Sequence, residues 1–125
     1  MARGLASKLK AWLQLARPRQ WPKNLLLFAA VLFSGRFREA GPMALALLAC
    51  AAFVLCSASV YAFNDLHDAA EDRRHPIKKM RPVASGRVSP TEASLLAALW
   101  AGLGLGLSAV LGGRFLLLAV AYLTL

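Results

Sequence analysis

The residues whose types and spacing could do chemistry lie in one run, Asn64-Asp65-Leu66-His67-Asp68-Ala69-Ala70-Glu71-Asp72. On a helix turning about 100° per residue, Asp65, Asp68 and Asp72 fall at about 0°, 300° and 340°, within one narrow sector of a single face. Stacked carboxylates repel by about a few tenths of a kcal/mol per exposed pair, and by more in low dielectric, so a cation belongs among them. Hard oxygen ligands suit Mg²⁺, which typically takes one or two carboxylates and completes its shell with water and substrate phosphates. The basic run RRHPIKKMRPVASGR, residues 73–87, follows at once and includes Arg73, Lys78 and Arg81. Carboxylates beside guanidinium and ammonium groups suit a metal-bridged diphosphate, the cations neutralising the remaining phosphate oxygens. The alternative is a solvated helix end whose Asp and Arg side chains form ordinary surface ion pairs. His67 and Glu71 lie off the acidic stripe and read as helix-surface residues. His75 precedes Pro76, and a turn accounts for it.

The elements that must position this cluster are apolar. Met43–Phe63 is an uncharged run of 21 residues, enough at 1.5 Å per residue to cross the roughly 30 Å hydrocarbon core of a bilayer. Its helix is expected to continue as far as residue 72 and so to carry the aspartates. Pro42 stands at its start, where a missing N–H costs nothing. Ala93–Leu111 is a further clean span, and the Gly102–Gly106 spacing within it predicts a helix-packing face. Trp21–Phe33 is shorter, but Pro22 opens it and Arg17 and Lys23 can snorkel to the interface, so a span is expected over 19–35. Phe115–Leu125 is only 11 residues, about 16 Å of helix, and reads as a span cut midway. The expectation is an all-α integral membrane domain with three full spans and a truncated fourth, the N-terminal part of a longer protein. Cys50 and Cys56, six apart in one apolar run, point in different directions on a helix and read as free thiols.

The first sixteen residues hold Leu5, Leu9, Trp12, Leu13 and Ala16 at helical spacing, with Arg3, Lys8 and Lys10 on other faces. No uninterrupted apolar stretch follows the basic start, so this is not a cleavable leader but a helix expected to lie in the membrane interface.

Of the whole sequence, 58% is hydrophobic and only 17% charged, with a net charge of +9. Soluble domains run at about 45–50% apolar and about 25% charged, and disorder requires low hydrophobicity, so both are excluded. A basic surplus could signal nucleic acid, but here the charges cluster between long neutral runs, and no nucleic-acid role is expected. Arg3, Lys8, Lys10, Arg17, Arg19 and Lys23 belong to the N-terminal arm, and Arg73, Arg74, Lys78, Lys79, Arg81 and Arg87 fill the loop 73–90. Arg36, Arg38 and Arg114 alone face the other side. That asymmetry puts the N-terminus and the 73–90 loop in the cytoplasm, with the protein a multi-pass component of the inner, cytoplasmic membrane.

Asn64, Asp65, Asp68 and Asp72 match N-D-x-x-D-x-x-x-D, the first aspartate-rich motif of the UbiA superfamily of intramembrane prenyltransferases, which this sequence therefore resembles. Arg17–Asn24 (RPRQWPKN) and Asp72–Gly86 (D-R-x-H-P-x-K-x-x-R-P-x-A-x-G) resemble one branch, the decaprenyl-phosphate phosphoribosyltransferases (decaprenylphosphoryl-5-phosphoribose synthases). The resemblance covers residues 12–90; the later spans match only in hydrophobic character. It implies a bundle of about nine helices with a cavity open to the cytoplasm and a second aspartate motif beyond Leu125. The implied reaction transfers phosphoribose from 5-phosphoribosyl diphosphate to a polyprenyl phosphate, a step in cell wall biosynthesis. In it Asp65, Asp68 and Asp72 hold Mg²⁺, and Asp72 either adds a ligand or orients Lys78 and Arg81. Arg17 and Lys23 hold phosphate, Arg73 belongs to the basic cluster, and Asn24 and Asn64 line the cavity. Two other readings stay open. One keeps the fold and the metal but transfers a prenyl group to an aromatic acceptor of a quinone or haem pathway. The other is a non-catalytic membrane subunit or cation pathway, since intramembrane carboxylates often mark ion routes.

Overall fold

The computed structural model describes residues 2–26, 29, 32–36 and 38–124, and the described residues are helical or in turns. The elements are α1 (Ala2–Leu15), a 3₁₀ helix (Pro18–Leu26), α2 (Ala40–His67), α3 (Ala69–Asp72), a 3₁₀ turn (Lys78–Met80), α4 (Pro90–Leu111) and α5 (Gly113–Thr124). α2 and α4, of 28 and 22 residues, are long and apolar enough to cross a membrane. Their surfaces carry exposed Leu45, Leu47, Leu95, Leu99 and Leu103, side chains that a water-soluble domain would turn inward.

The expected first span begins instead as 3₁₀ helix. Pro22 lies inside Pro18–Leu26 and cannot donate the i→i−4 bond of an α-helix, which favours the tighter winding. Leu27, Phe28, Ala30 and Val31, at the centre of that expected span, lie outside the described residues. The helix expected to run unbroken to residue 72 pauses at Asp68, whose φ of −91° and ψ of 2° fall in the bridge region. The Asp68 amide still donates to the Asn64 carbonyl at 2.9 Å, and the Asp72 amide to the Asp68 carbonyl at 2.8 Å. The pause therefore interrupts the dihedrals while keeping the α-type bonds on either side. α4 starts at Pro90, three residues before the expected boundary. Ser89 supplies the cap, its hydroxyl accepting the Glu92 amide at 3.1 Å, with Pro90 at the first helical position. Gly112, at φ +124°, ends α4 in a conformation that excludes ordinary side chains and lets α5 start at the next residue.

The chain divides into two compact units: the residues up to Pro18 with Ala58–Leu99, and Arg19–Ser57 with residues from Trp100 onwards. In the first, Ala11 and Leu15 of α1 are buried, as are Ala58, Ala62, Ala69, Val83, Val88 and Ala93. The Ser59 hydroxyl donates to the Ala97 carbonyl at 2.8 Å, tying α2 to α4. The Trp12 indole donates to Glu92 Oε2 at 2.9 Å, and Lys8 Nζ donates to Glu92 Oε1 at 2.8 Å and to the Arg87 carbonyl at 3.0 Å. These bonds fasten α1 to the first turn of α4. α1 still leaves Leu5, Leu9 and Leu13 about half exposed or more.

The second unit is held by small residues and aromatic rings. Phe53 meets Phe115 and Tyr122 edge to face, with ring centroids 5.3 and 5.9 Å apart, the geometry that aromatic quadrupoles prefer. Tyr122 also shares a 3.2 Å hydrogen bond with Ser57. The close packing expected at Gly102 and Gly106 falls instead at Gly104, two residues from each: a Cβ on either would meet nothing within 4 Å, whereas one on Gly104 would stand 2.7 Å from Cys56 Sγ and 3.1 Å from the Ala52 carbonyl. Cys50 and Cys56 are free, and Cys56 is the residue that α4 approaches through Gly104.

Gly104→Ala should therefore destabilise the protein in detergent by about 1–3 kcal/mol through overpacking, measured by thermal unfolding. Gly102→Ala and Gly106→Ala should be neutral or slightly stabilising, since each only replaces a poor helix former.

Candidate functional site

The site is built where α2 ends. Asp65 and Asp72, seven residues apart, turn to the same side and are almost fully buried, at 2% and 3% exposure. The α-type bonds preserved around Asp68 bring this about, because the pair stays on one stripe although the helix label changes between them. Asp68 itself is only partly buried and forms no ion pair among the described residues. Carboxylates removed from water need opposite charge and hydrogen bonds at hand. Two guanidinium groups supply both.

Arg81 Nη1 donates to Asp72 Oδ2 at 3.0 Å and stands 3.7 Å from Asp65 Oδ1, so one cation spans the two acids. Its placement is local. The His75 ring accepts the Ile77 and Lys78 amides at Nδ1, 3.1 Å each, which caps the 3₁₀ turn ahead of Arg81. Behind it, the Ser85 amide donates to the Arg81 carbonyl at 2.8 Å and the Val88 amide to the Pro82 carbonyl at 3.0 Å. Val83 and Val88 are buried beneath. The segment expected as a basic loop is thus a folded turn with its own apolar anchor, and His75 has the turn role its position before Pro76 suggests.

Arg17 approaches Asp65 from the end of α1. Its Nη2 donates to Asp65 Oδ1, and its guanidinium carbon lies 4.7 Å from the centroid of the Tyr61 ring. Tyr61 precedes Asp65 by one helical turn, so both face the same cation. Arg17 has φ +52°, the left-handed conformation that usually falls to Gly or Asn where a helix closes. For an arginine this costs on the order of 1–3 kcal/mol, which the ion pair and the cation–π contact offset. The following Pro18 disfavours the ordinary helical alternative. Two cations and two buried anions make the cluster neutral. Among the described residues, no buried side-chain nitrogen or oxygen is without a hydrogen-bond partner.

The remaining expected residues take no part in these ion pairs among the described residues. Asn64, Arg73 and Lys78 are exposed, Arg73 bonding through Nε to the Ala84 carbonyl at 3.2 Å. Lys23 and Asn24 belong to the 3₁₀ helix of the other unit. His67 stacks on Phe63 at the surface, with ring centroids 6.3 Å apart. Sequence reasoning missed Tyr61 and Glu92. Glu92 had a signal, as the acid three residues after Ser89 in a capping-box spacing, though its carboxylate binds α1 rather than its own cap. Tyr61 could have been found from its i−4 relation to Asp65.

The carboxylate oxygens match Mg²⁺ in chemistry. Among the described residues, no three His, Cys, Asp or Glu side chains are grouped to hold a metal by themselves. A cation here would rest on one or two aspartates and draw its other ligands from water and a bound phosphate, the usual habit of Mg²⁺.

Long apolar helices with exposed leucines, one of them carrying a buried carboxylate–guanidinium cluster at its end, define a helical membrane protein with a polar site at the terminus of a span. Residues 25–125 match the UbiA prenyltransferase family, and the chain belongs to that family, whose members are integral to membranes. It is 37% identical over 115 residues, 89% of this chain and 36% of the relative, to a decaprenyl-phosphate phosphoribosyltransferase of Mycolicibacterium smegmatis. A protein of the same name from Corynebacterium glutamicum is 36% identical over 94 residues, 74% of this chain and 28% of the relative. Nodulation protein NoeC of Azorhizobium caulinodans is 42% identical over 78 residues, 61% of this chain and 24% of the relative. The chain spans about a quarter to a third of the length of these curated relatives.

Removing Asp65 strands Arg17 and leaves Arg81 with Asp72 alone, whereas removing Asp68 strands neither guanidinium. Asp65→Ala should cost about 3–5 kcal/mol, the usual penalty for breaking a buried pair from one side. Asp68→Ala should stay within about 1 kcal/mol, both read from denaturation in mild detergent.

Proposed function

We propose that the protein to which this chain belongs transfers phosphoribose from 5-phosphoribosyl diphosphate to a polyprenyl phosphate of decaprenyl type, at the cytoplasmic face of the inner membrane. The observation that carries the reading is the buried Asp65–Asp72 pair bound to Arg17 and Arg81, with Asp65 in the superfamily's aspartate motif and Arg17, Asp72 and Arg81 in the stretches that resemble the phosphoribosyltransferase branch. Relatives bearing that name across most of this chain support it. A bundle of about nine helices, with a second aspartate motif beyond Leu125, belongs to the same reading.

In the reaction, an oxygen of the lipid phosphate forms a bond to C1 of the ribose as the bond from C1 to the diphosphate oxygen breaks, and diphosphate leaves with the electron pair. Mg²⁺, held by Asp65, Asp68 and Asp72 together with the donor's phosphates, would supply positive charge against the departing oxygens. Arg17, Lys23, Arg73, Lys78 and Arg81 bind the remaining phosphate oxygens, where guanidinium forks suit the geometry. Asn24 and Asn64 orient the donor through neutral hydrogen bonds. The buried carboxylates also favour the positive charge that develops on the sugar ring as the C1 bond lengthens. The apolar helices leave the lipid acceptor in the bilayer while its phosphate reaches the polar end of the span. A second reading, prenyl transfer from a polyprenyl diphosphate to an aromatic acceptor, is favoured by the family description itself.

Membranes containing the intact protein should consume 5-phosphoribosyl diphosphate only when polyprenyl phosphate and Mg²⁺ are both supplied. Asp68→Asn should lower that turnover by at least about 100-fold with membrane insertion unchanged. Turnover of geranylgeranyl diphosphate with an aromatic acid, and none of the sugar donor, would decide for the second reading.

A further inference from the structure

The two best-buried acids of the site already have counter-ions from the chain itself. Arg81 lies between Asp65 and Asp72, and Arg17 lies against Asp65. Arg81 and Arg17 keep 29% and 28% of their side chains accessible while the acids keep almost none. The guanidinium groups therefore stand between the carboxylates and the outside. A divalent cation arriving alone finds Asp68 without an ion pair among the described residues, but to reach Asp65 or Asp72 it must displace at least one arginine into water, leaving that arginine without the partner it had. A cation arriving with a diphosphate brings phosphate oxygens that can receive the displaced guanidinium with bonds of at least equal strength.

We infer that Arg81 and Arg17 act as internal counter-ions that keep a divalent cation from Asp65 and Asp72 until a diphosphate accepts the arginines, so that metal and diphosphate bind as one cooperative unit. The inference rests on the metal–diphosphate reading given above and adds an order of events to it. Arg81, touching both carboxylates, is the principal gate. Arg17 has an added reason to move: releasing Asp65 frees it from the contact that holds its left-handed backbone in place. In this role both arginines act in binding, and their effect appears there before any chemistry.

Equilibrium dialysis of radiolabelled Mn²⁺ against the purified intact protein in detergent, with and without inorganic diphosphate, tests this directly. Wild type should bind Mn²⁺ at least about tenfold more tightly when diphosphate is present, and diphosphate should gain the same factor from Mn²⁺. Arg81→Gln should bind Mn²⁺ alone more tightly than wild type does and lose most of the enhancement by diphosphate. Arg17→Gln should move the same way by a smaller factor, and carries the test if Arg81→Gln fails to elute as a single species. Equal Mn²⁺ binding by wild type with and without diphosphate, or Mn²⁺-alone binding by both variants no tighter than wild type, would overturn the inference while leaving a metal site intact. No Mn²⁺ retained in any arm would overturn it together with the metal reading on which it rests. Sugar-donor turnover is measured separately, so the two failures are distinguishable.

Discussion

Asp65 is an acid at the end of an apolar helix, with almost no surface of its own, and much of the first unit's arrangement follows from the need to neutralise it. A carboxylate in that position cannot be solvated by water and must draw opposite charge from elsewhere in the chain. One partner comes from the end of α1, forty-eight residues earlier; the other, Arg81, directly follows the 3₁₀ turn Lys78–Met80. Both arrivals impose local shape. Arg17 accepts a left-handed backbone and a tyrosine beneath it, and Arg81 depends on a turn whose amides and two buried valines are set around it. The ion cluster is thus a tertiary fastening as well as a candidate reaction site, and the same charges that could bind phosphate first hold three segments together.

The membrane explains why so much of the remaining structure is small or aliphatic. In lipid, exposed leucines cost nothing, so hydrophobic burial contributes little to helix association and close contact must replace it. Gly104 against Cys56 and Ala52 is such a contact, and the Phe53–Phe115–Tyr122 group is its aromatic counterpart. Polar groups inside these segments are few and bonded: Ser59 to a carbonyl of α4, Ser57 to Tyr122, and Ser108 to the Gly104 carbonyl of its own helix at 2.7 Å.

Some of this was legible in the order of residues. The long uncharged runs foretell helices because a bilayer admits little else, and the i, i+3, i+7 spacing of the aspartates foretells a shared stripe. Four things were not legible. The 3₁₀ winding at Pro18–Leu26 depends on Pro22 being inside the element rather than at its start, and the run of letters suits either place. The choice of Gly104 over Gly102 and Gly106 depends on the rotation of α4 against α2, which a pattern of alternate glycines leaves open. The pairing of Arg17 with Asp65 joins residues far apart in sequence, and charge counts cannot say which cation finds which anion. Residues 73–90 read as a charged loop because their apolar anchors, Val83 and Val88, are too few and too scattered to make a periodic signal.

The fastening of α1 to Glu92 has a consequence for how the protein is made. Lys8 and its carboxylate partner are separated by 84 residues, so α1 leaves the ribosome long before the residue that fixes it exists. At typical synthesis rates the delay is on the order of ten seconds. During that interval the helix has its leucines, its tryptophan and its lysines uncommitted, and the bilayer surface is the nearest place that can accommodate all three. α1 is therefore translated well before the residue that fixes it, and completing α4's first turn is the event that closes this part of the molecule.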